Sequence, residues 1–208
     1  GVLNTVAIAA AHARAQYGRS KQLKRVAIVD FDIHHGNGTE DIVRNLQPRS
    51  VRVPLPSSWA PRSDAVYKPW LNTRDAANVF FGSVHLHDGT TFYPCSGDDL
   101  STPTIVNVAI KVPTKRKRNS TSRWRERVLM ELLPRLEAFR PELLILSAGF
   151  DGHCKDSYYC LTDDDYTWLT DELVAVAQRW GHGRIVSILE GGYCTKKSGG
   201  LRTATAAH

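Results

Sequence analysis

Two aliphatic runs constrain this chain more than any other feature: Arg25-Val-Ala-Ile-Val-Asp30 and Leu143-Leu-Ile-Leu146. A strand with one wet face alternates apolar and polar residues, whereas an unbroken run reads as a strand buried on both faces. Sheets of that kind are parallel and covered by helices, and helical stretches lie between the runs. Thr5–Tyr17 is Ala-rich with apolar residues at helical spacing, and Gly18 stands where such a helix stops. Thr39–Leu46 reads as a short helix with Thr39 as its N-cap. Trp124–Phe139 has amphipathic spacing, with Pro134 required to kink or end it. Asp163–Trp180 carries three acidic residues in its first turn, where the helix dipole favours them. Val79–Leu86, Ile105–Val112 and Arg184–Leu189 are further strands, the last also expected to be buried. Alternation of this sort predicts one α/β domain, a mostly parallel sheet between two helical layers. Pro54–Val79, with scattered prolines, serines and tryptophans, reads as a surface excursion.

Three of these strands end in unusual polar residues. The first runs into Asp30-Phe-Asp32-Ile-His34-His35-Gly36-Asn37-Gly38, another into Ser147-Ala-Gly-Phe-Asp151-Gly-His153, and the third into Glu190-Gly-Gly-Tyr193. Ligands of open parallel sheets bind beyond the carboxyl ends of the strands, so one convergent site is expected there. Asp30, Asp32 and His34 are spaced by two and share a face if the strand continues. With Asp151 from a neighbouring strand, Asp32 and His34 form a two-oxygen, one-nitrogen set with open positions, the pattern of a catalytic metal. Donor softness alone admits Zn²⁺, Fe²⁺, Co²⁺ or Mn²⁺. His85 and His87 alternate along a strand with no third ligand nearby and are set aside, while His35 and His153 read as structural.

Of the 208 residues, 42% are hydrophobic and 23% charged, which excludes a disordered chain. The apolar runs are too short to cross a bilayer, and the first residues lack the features of a signal peptide. Cys95, Cys154, Cys160 and Cys194 show no CxxC pair, and read as free thiols in a reducing compartment, nucleus or cytoplasm. The net charge of +6 is concentrated at Lys115–Arg118, within a basic insert over 114–123. That block reads as a solvated loop sooner than an import signal or a phosphate-binding patch, so direct nucleic-acid binding is not expected.

The string Asp30-Phe-Asp-Ile-His-His-Gly-Asn-Gly-Thr39 resembles the zinc-binding signature of the histone deacetylase family. The likeness continues through Asn4–Ala10, Phe92-Tyr-Pro94, Ile105–Val108, Ser147–Asp151 and Leu189–Tyr193, in the family's order. Asn37 in an Asp position and the Glu190-Gly-Gly string resemble the class II branch and its acetylpolyamine amidohydrolase relatives. The resemblance implies a three-layer αβα fold of the arginase/deacetylase type. It also implies hydrolysis of the acetyl amide of N-acetyl-lysine, with Asp32, His34 and Asp151 holding Zn²⁺ and the Tyr193 hydroxyl donating to the oxyanion. Asp30 and Asn37 match the partners of two catalytic histidines, and Asp30, Asp32 and His34 contribute to a K⁺ site. Tyr93 corresponds to an aromatic wall of the acyl-lysine tunnel, and Gly149 and Gly192 to close backbone approaches to substrate. Acetylated histone tails or other acetyl-lysine proteins would be substrates, and a corepressor-type complex a partner.

The family's tandem-histidine base, from a Pro-Gly-His-His-like loop, has no counterpart here, and the chain is expected to be the C-terminal part of a catalytic domain. Residues 1–208 alone are therefore expected to bind zinc, hydrolyse poorly, and expose apolar strand edges where sheet neighbours are missing. Two alternatives keep the fold: an acetylpolyamine or small-amide amidohydrolase, and an inactive scaffold.

Overall fold

The computed structural model describes residues 3–20, 23–47, 49–53, 62–66, 68–89, 91–99, 101–112, 120–156 and 159–194, with the side chains of 49–53, 62–66 and 120 excepted. The basic block Lys115–Arg118 and the segment after Cys194 lie outside them. Strands β1 (Val26–Asp30), β4 (Val79–His87), β5 (Ile105–Lys111), β6 (Leu143–Ala148) and β7 (Ile185–Leu189) form one sheet in the order β5-β4-β1-β6-β7. Every pairing in it is parallel. Strands β2 (Arg49–Val53) and β3 (Arg62–Val66) form a separate antiparallel pair. That pair and the short helix α3 (Asp75–Asn78) replace the expected surface excursion in part. Its end is packed in: Asp75 is fully buried, pairs with Arg14 at 3.0 Å and accepts the amides of Trp70, Leu71 and Asn72. Residues 54–61 fall outside the described part.

Helices cover both faces because the central strands are apolar on both. On one side α1 (Thr5–Tyr17) and α2 (Asn37–Arg44) bury Val6, Ala10, Ala13 and Val43 against Val26, Ile28, Phe81 and Ile145. On the other, Trp124, Val128, Leu132 and Leu136 join Leu169 and Leu173 against Ala27, Val29, Phe80, Leu144 and Leu146. These side chains come from α4 (Ser120–Arg127), a π-turn at Val128–Leu132, α5 (Leu133–Phe139) and α6 (Asp163–Gly181).

The regular α-helix is interrupted just before Pro134: the Leu133 amide donates to the Val128 carbonyl, and this one-residue slip leaves Pro134 in the first turn of α5, where a missing N–H costs little. Two local expectations are corrected. Thr39 is not an N-cap, since α2 begins at Asn37 after Gly36; its hydroxyl instead accepts from Asn4 Nδ2 at 2.8 Å. Strand β7 is a half-exposed edge, with Val186 45% and Leu189 57% exposed, because among the described residues only β6 flanks it.

Candidate metal centre

Strand β1 stops at Asp30 and the chain beyond it bends, so the strand does not continue through Asp32 and His34. Alternation nonetheless survives: Phe31 and Ile33 are buried in the core, which turns Asp30, Asp32 and His34 the other way. These three, with His35, Asn37, Tyr93, Ser147 and Glu190, line one concavity of about 380 Å³ at the carboxyl ends of the strands. A larger groove of about 720 Å³ runs between α1 and the start of β7, lined by Ala13, Tyr17, Leu143 and Val186 among others, and holds none of the predicted chemistry.

Backbone amides aim the carboxylates. Asp32 Oδ1 accepts the His34 amide at 2.8 Å and Oδ2 the Gly191 amide at 3.0 Å, while Asp151 Oδ1 accepts the Ile33 amide at 3.1 Å. Donor atoms of Asp32, His34 and Asp151 all lie within 4.8 Å of one another. His34 Nδ1 sits 3.0 Å from Asp32 Oδ1 and 2.9 Å from Asp151 Oδ2. Asp151 is fully buried, and its Oδ2, for all that proximity, is too poorly aligned to form a hydrogen bond. A buried oxygen left over in this way calls for a ligand.

Electrostatics point to a cation at the same spot. Burial pushes the His34 imidazole down, but the Asp151 and Asp32 carboxylates beside it outweigh burial and raise its pKa to about 9. Burial raises the Asp151 carboxyl, with Asp32 adding to it and His34 opposing. Burial, with Asp32 next, holds the Asp30 carboxyl well above the usual range. Two carboxylates and an imidazole nitrogen turned toward one point fit a divalent metal.

Glycine makes this closeness attainable. A Cβ on Gly191 would collide with the carboxylates of Asp32 and Asp151, and one on Gly149 with the body of Asp32. Gly149 therefore makes room for Asp32 and is not among the residues lining the concavity. Gly192, at φ 138°, turns the chain toward Tyr193. Tyr93 is 74% exposed at the concavity, its ring edge-on to His34 at 6.0 Å. Tyr193 is 68% exposed, stands two residues past the Gly191 amide that holds Asp32, and is not among the lining residues. Sequence reasoning left Phe92 without a role, yet its ring stacks on His34 at 5.3 Å.

Histidines outside the Asp32–His34–Asp151 set find their own partners. His35 bridges Ser96 Oγ and Glu40 Oε2, His153 pairs with Asp163, and buried His85 bonds Ser83 Oγ and the Gly97 carbonyl. The expected free thiols are corrected at two positions: Cys154 and Cys160 form a disulfide, leaving Cys95 and Cys194 free. Hydrogen bonds from the Cys154 amide to Leu161 and from the Leu161 amide to Gly152 run the two ends of that loop side by side. A spacing of six shows no CxxC signature, so only the fold reveals the pair.

A Histone deacetylase domain family model matches residues 1–208. The chain belongs to the histone deacetylase family. It is 32% identical over its whole length to Type-2 histone deacetylase 2 of Dictyostelium discoideum, covering 11% of that protein. Over 92% of its length it is 33% identical to the mouse (Mus musculus) Polyamine deacetylase HDAC10, covering 24% of it. The solved HDA15 HD domain superposes with a TM-score of 0.64 at 24% identity, over 91% of this chain and 44% of that one. The histone deacetylase Clr3 superposes with a TM-score of 0.69 at 22% identity, over 99% of this chain and 29% of that one. These two likenesses establish the arginase/deacetylase fold. The chain spans about a tenth to a quarter of the two curated relatives' lengths.

Proposed function

We propose that this chain carries the metal centre of a zinc-dependent deacetylase acting on N-acetyl-lysine in histones or other proteins. The observation that carries this reading is the Asp32–His34–Asp151 set, with its leftover buried oxygen, in a concavity at the strand ends. Zinc bound by these three residues would polarise the acetyl carbonyl and lower the pKa of a bound water. The chain's own residues do the rest. Gly191 and His34 amides hold Asp32 in place, and Ile33 holds Asp151. Phe92 and Tyr93 flank His34 and offer apolar walls to a lysine's methylene stem. The Tyr193 hydroxyl donates to the oxygen on which charge develops, a contribution of about 3–4 kcal/mol for such donors. Asp30 and Asn37 receive and orient a proton-accepting imidazole; His34 and His35 are already committed to carboxylates. K⁺ near the Asp30–His34 segment would be a structural ion.

A second substrate class has one specific support, the 33% identity to a protein named a polyamine deacetylase. The natural protein that carries this sequence, loaded with zinc, is assayed for acetate release from an acetyl-lysine peptide and from N-acetylputrescine. Zinc-dependent release from the peptide supports the proposal, and preference for acetylputrescine moves it to the second class. Failure of Asp151→Asn to weaken zinc binding by about a hundredfold would refute the site. A zinc-loaded protein inert on both substrates would favour the scaffold alternative.

A further inference from the structure

The described parts of the connection between Asp151 and α6, residues 152–156 and 159–162, are tied together by several bonds. His153 bridges to Leu161, the Asp156 amide donates to the His153 carbonyl, Cys154 is bonded to Cys160, and His153 Nε2 lies 3.0 Å from Asp163 Oδ1 at the start of α6. At its centre Asp156 is only 6% exposed. Its Oδ2 accepts the Tyr193 amide at 2.7 Å and the Cys194 amide at 2.9 Å. A carboxylate buried against two amides of a distant segment, 37 residues away in sequence, fixes the path of that segment.

Gly191 and Gly192 give the turn before Tyr193 wide conformational freedom, Gly192 standing at φ 138°. The Tyr193 side chain is 68% exposed. The Gly191 amide is tied to Asp32, and the Tyr193 and Cys194 amides are tied to Asp156. The residue is thus suspended between the metal ligands on one side and the bonded loop on the other.

We propose that Asp156 is a positioning residue that sets where the Tyr193 hydroxyl stands relative to the metal centre. This rests on the reading of Tyr193 as oxyanion donor. Asp156 touches no reacting atom. It acts through the backbone of residues 193 and 194, and the Cys154–Cys160 bond keeps the loop around it closed.

Two measurements test this together. Amide hydrogen exchange on the chain itself reads the holding of the turn without any need for turnover. Asp156→Ala should speed exchange at Tyr193 and Cys194 at least about tenfold, with zinc binding unchanged, whereas Asp156→Asn, which keeps an accepting oxygen and the side chain's volume, should restore most of the protection. In the natural protein Asp156→Ala should lower kcat about a hundredfold with little change in KM, as expected for a misplaced donor, and Asp156→Asn should recover most of it. Adding Asp156→Ala to Tyr193→Phe should cost no more than about threefold further, since both act through one hydroxyl. An undiminished loss in the Tyr193→Phe background, or unchanged exchange at 193 and 194, would overturn the proposal. If Asp156→Ala does not fold, Asp156→Asn with exchange like the parent but a collapsed kcat overturns it equally. A Tyr193→Phe loss below about tenfold marks failure of the donor reading instead, because exchange still reports whether Asp156 holds the turn.

Discussion

Replacing Glu40 with Gln should weaken the fold behind the candidate metal centre and reshape its acid sensitivity. Glu40, in the first turn of α2, accepts from His35 Nε2 at 2.7 Å, Asn107 Nδ2 at 2.8 Å and Arg44 Nε at 2.6 Å. It thereby joins the residue next to His34 to β5 across the sheet's end. Burial pushes its carboxyl up, but the three donors outweigh burial and bring the pKa from 4.5 to about 2. A displacement of that size corresponds to about 3 kcal/mol, reduced to about 2 kcal/mol because Arg44 is partly in water. The folded pKa is depressed, so this stability is present above pH 4.5 and is lost as pH falls toward 2. His85 adds a separate component: burial, with His35 beside it, lowers its pKa from 6.5 to about 4. Its contribution is present above pH 6.5 and is lost as pH falls through about 4, since the unfolded chain takes up the proton first. Urea unfolding followed by tryptophan fluorescence, at low protein concentration and across pH, reads both. Glu40→Gln should cost about 2 kcal/mol at pH 7 and flatten the fall below pH 4.5, while the fall between 6.5 and 4 persists. A loss below ~0.5 kcal/mol, or an acid limb of unchanged steepness, would refute the reasoning.

Gly191→Ala should lower zinc affinity by about tenfold or more while leaving far-UV circular dichroism unchanged, because its Cβ meets the Asp32 and Asp151 carboxylates and must push them apart; a metal titration checks this. Reducing Cys154–Cys160 with dithiothreitol, which leaves two thiols and an oxidised dithiol, should destabilise the fold by about 2 kcal/mol from the loop's length alone. The same treatment of Cys154→Ser should have no effect, and thermal melts separate the cases. Val186→Lys on the exposed edge strand β7 should suppress concentration-dependent association measured by light scattering, as charge on a free edge opposes strand pairing.

Much of this molecule was legible in its residues. The unbroken aliphatic runs at 26–29 and 143–146 point to strands buried on both faces, and the sheet has β1 at its centre with β6 beside it. Asp32, His34 and Asp151 were readable as one donor set because strand ends converge in parallel sheets. Such signals are local: burial pattern, turn chemistry and spacing act within a few residues, so the linear chain contains them. What required the tertiary structure was every feature made by residues far apart. The leftover oxygen of Asp151 exists only where Ile33 takes its other oxygen, and Gly191 matters only because it passes against Asp32 and Asp151. The edge exposure of β7 depends on which strands flank it, not on its own composition. Asp156 looked like any loop carboxylate until packing buried it beneath Tyr193 and Cys194. The residue types set the chemistry this chain can perform, while long-range contacts choose which atoms are dry, aligned and unpaired, because desolvation and hydrogen-bond geometry are properties of neighbours in space.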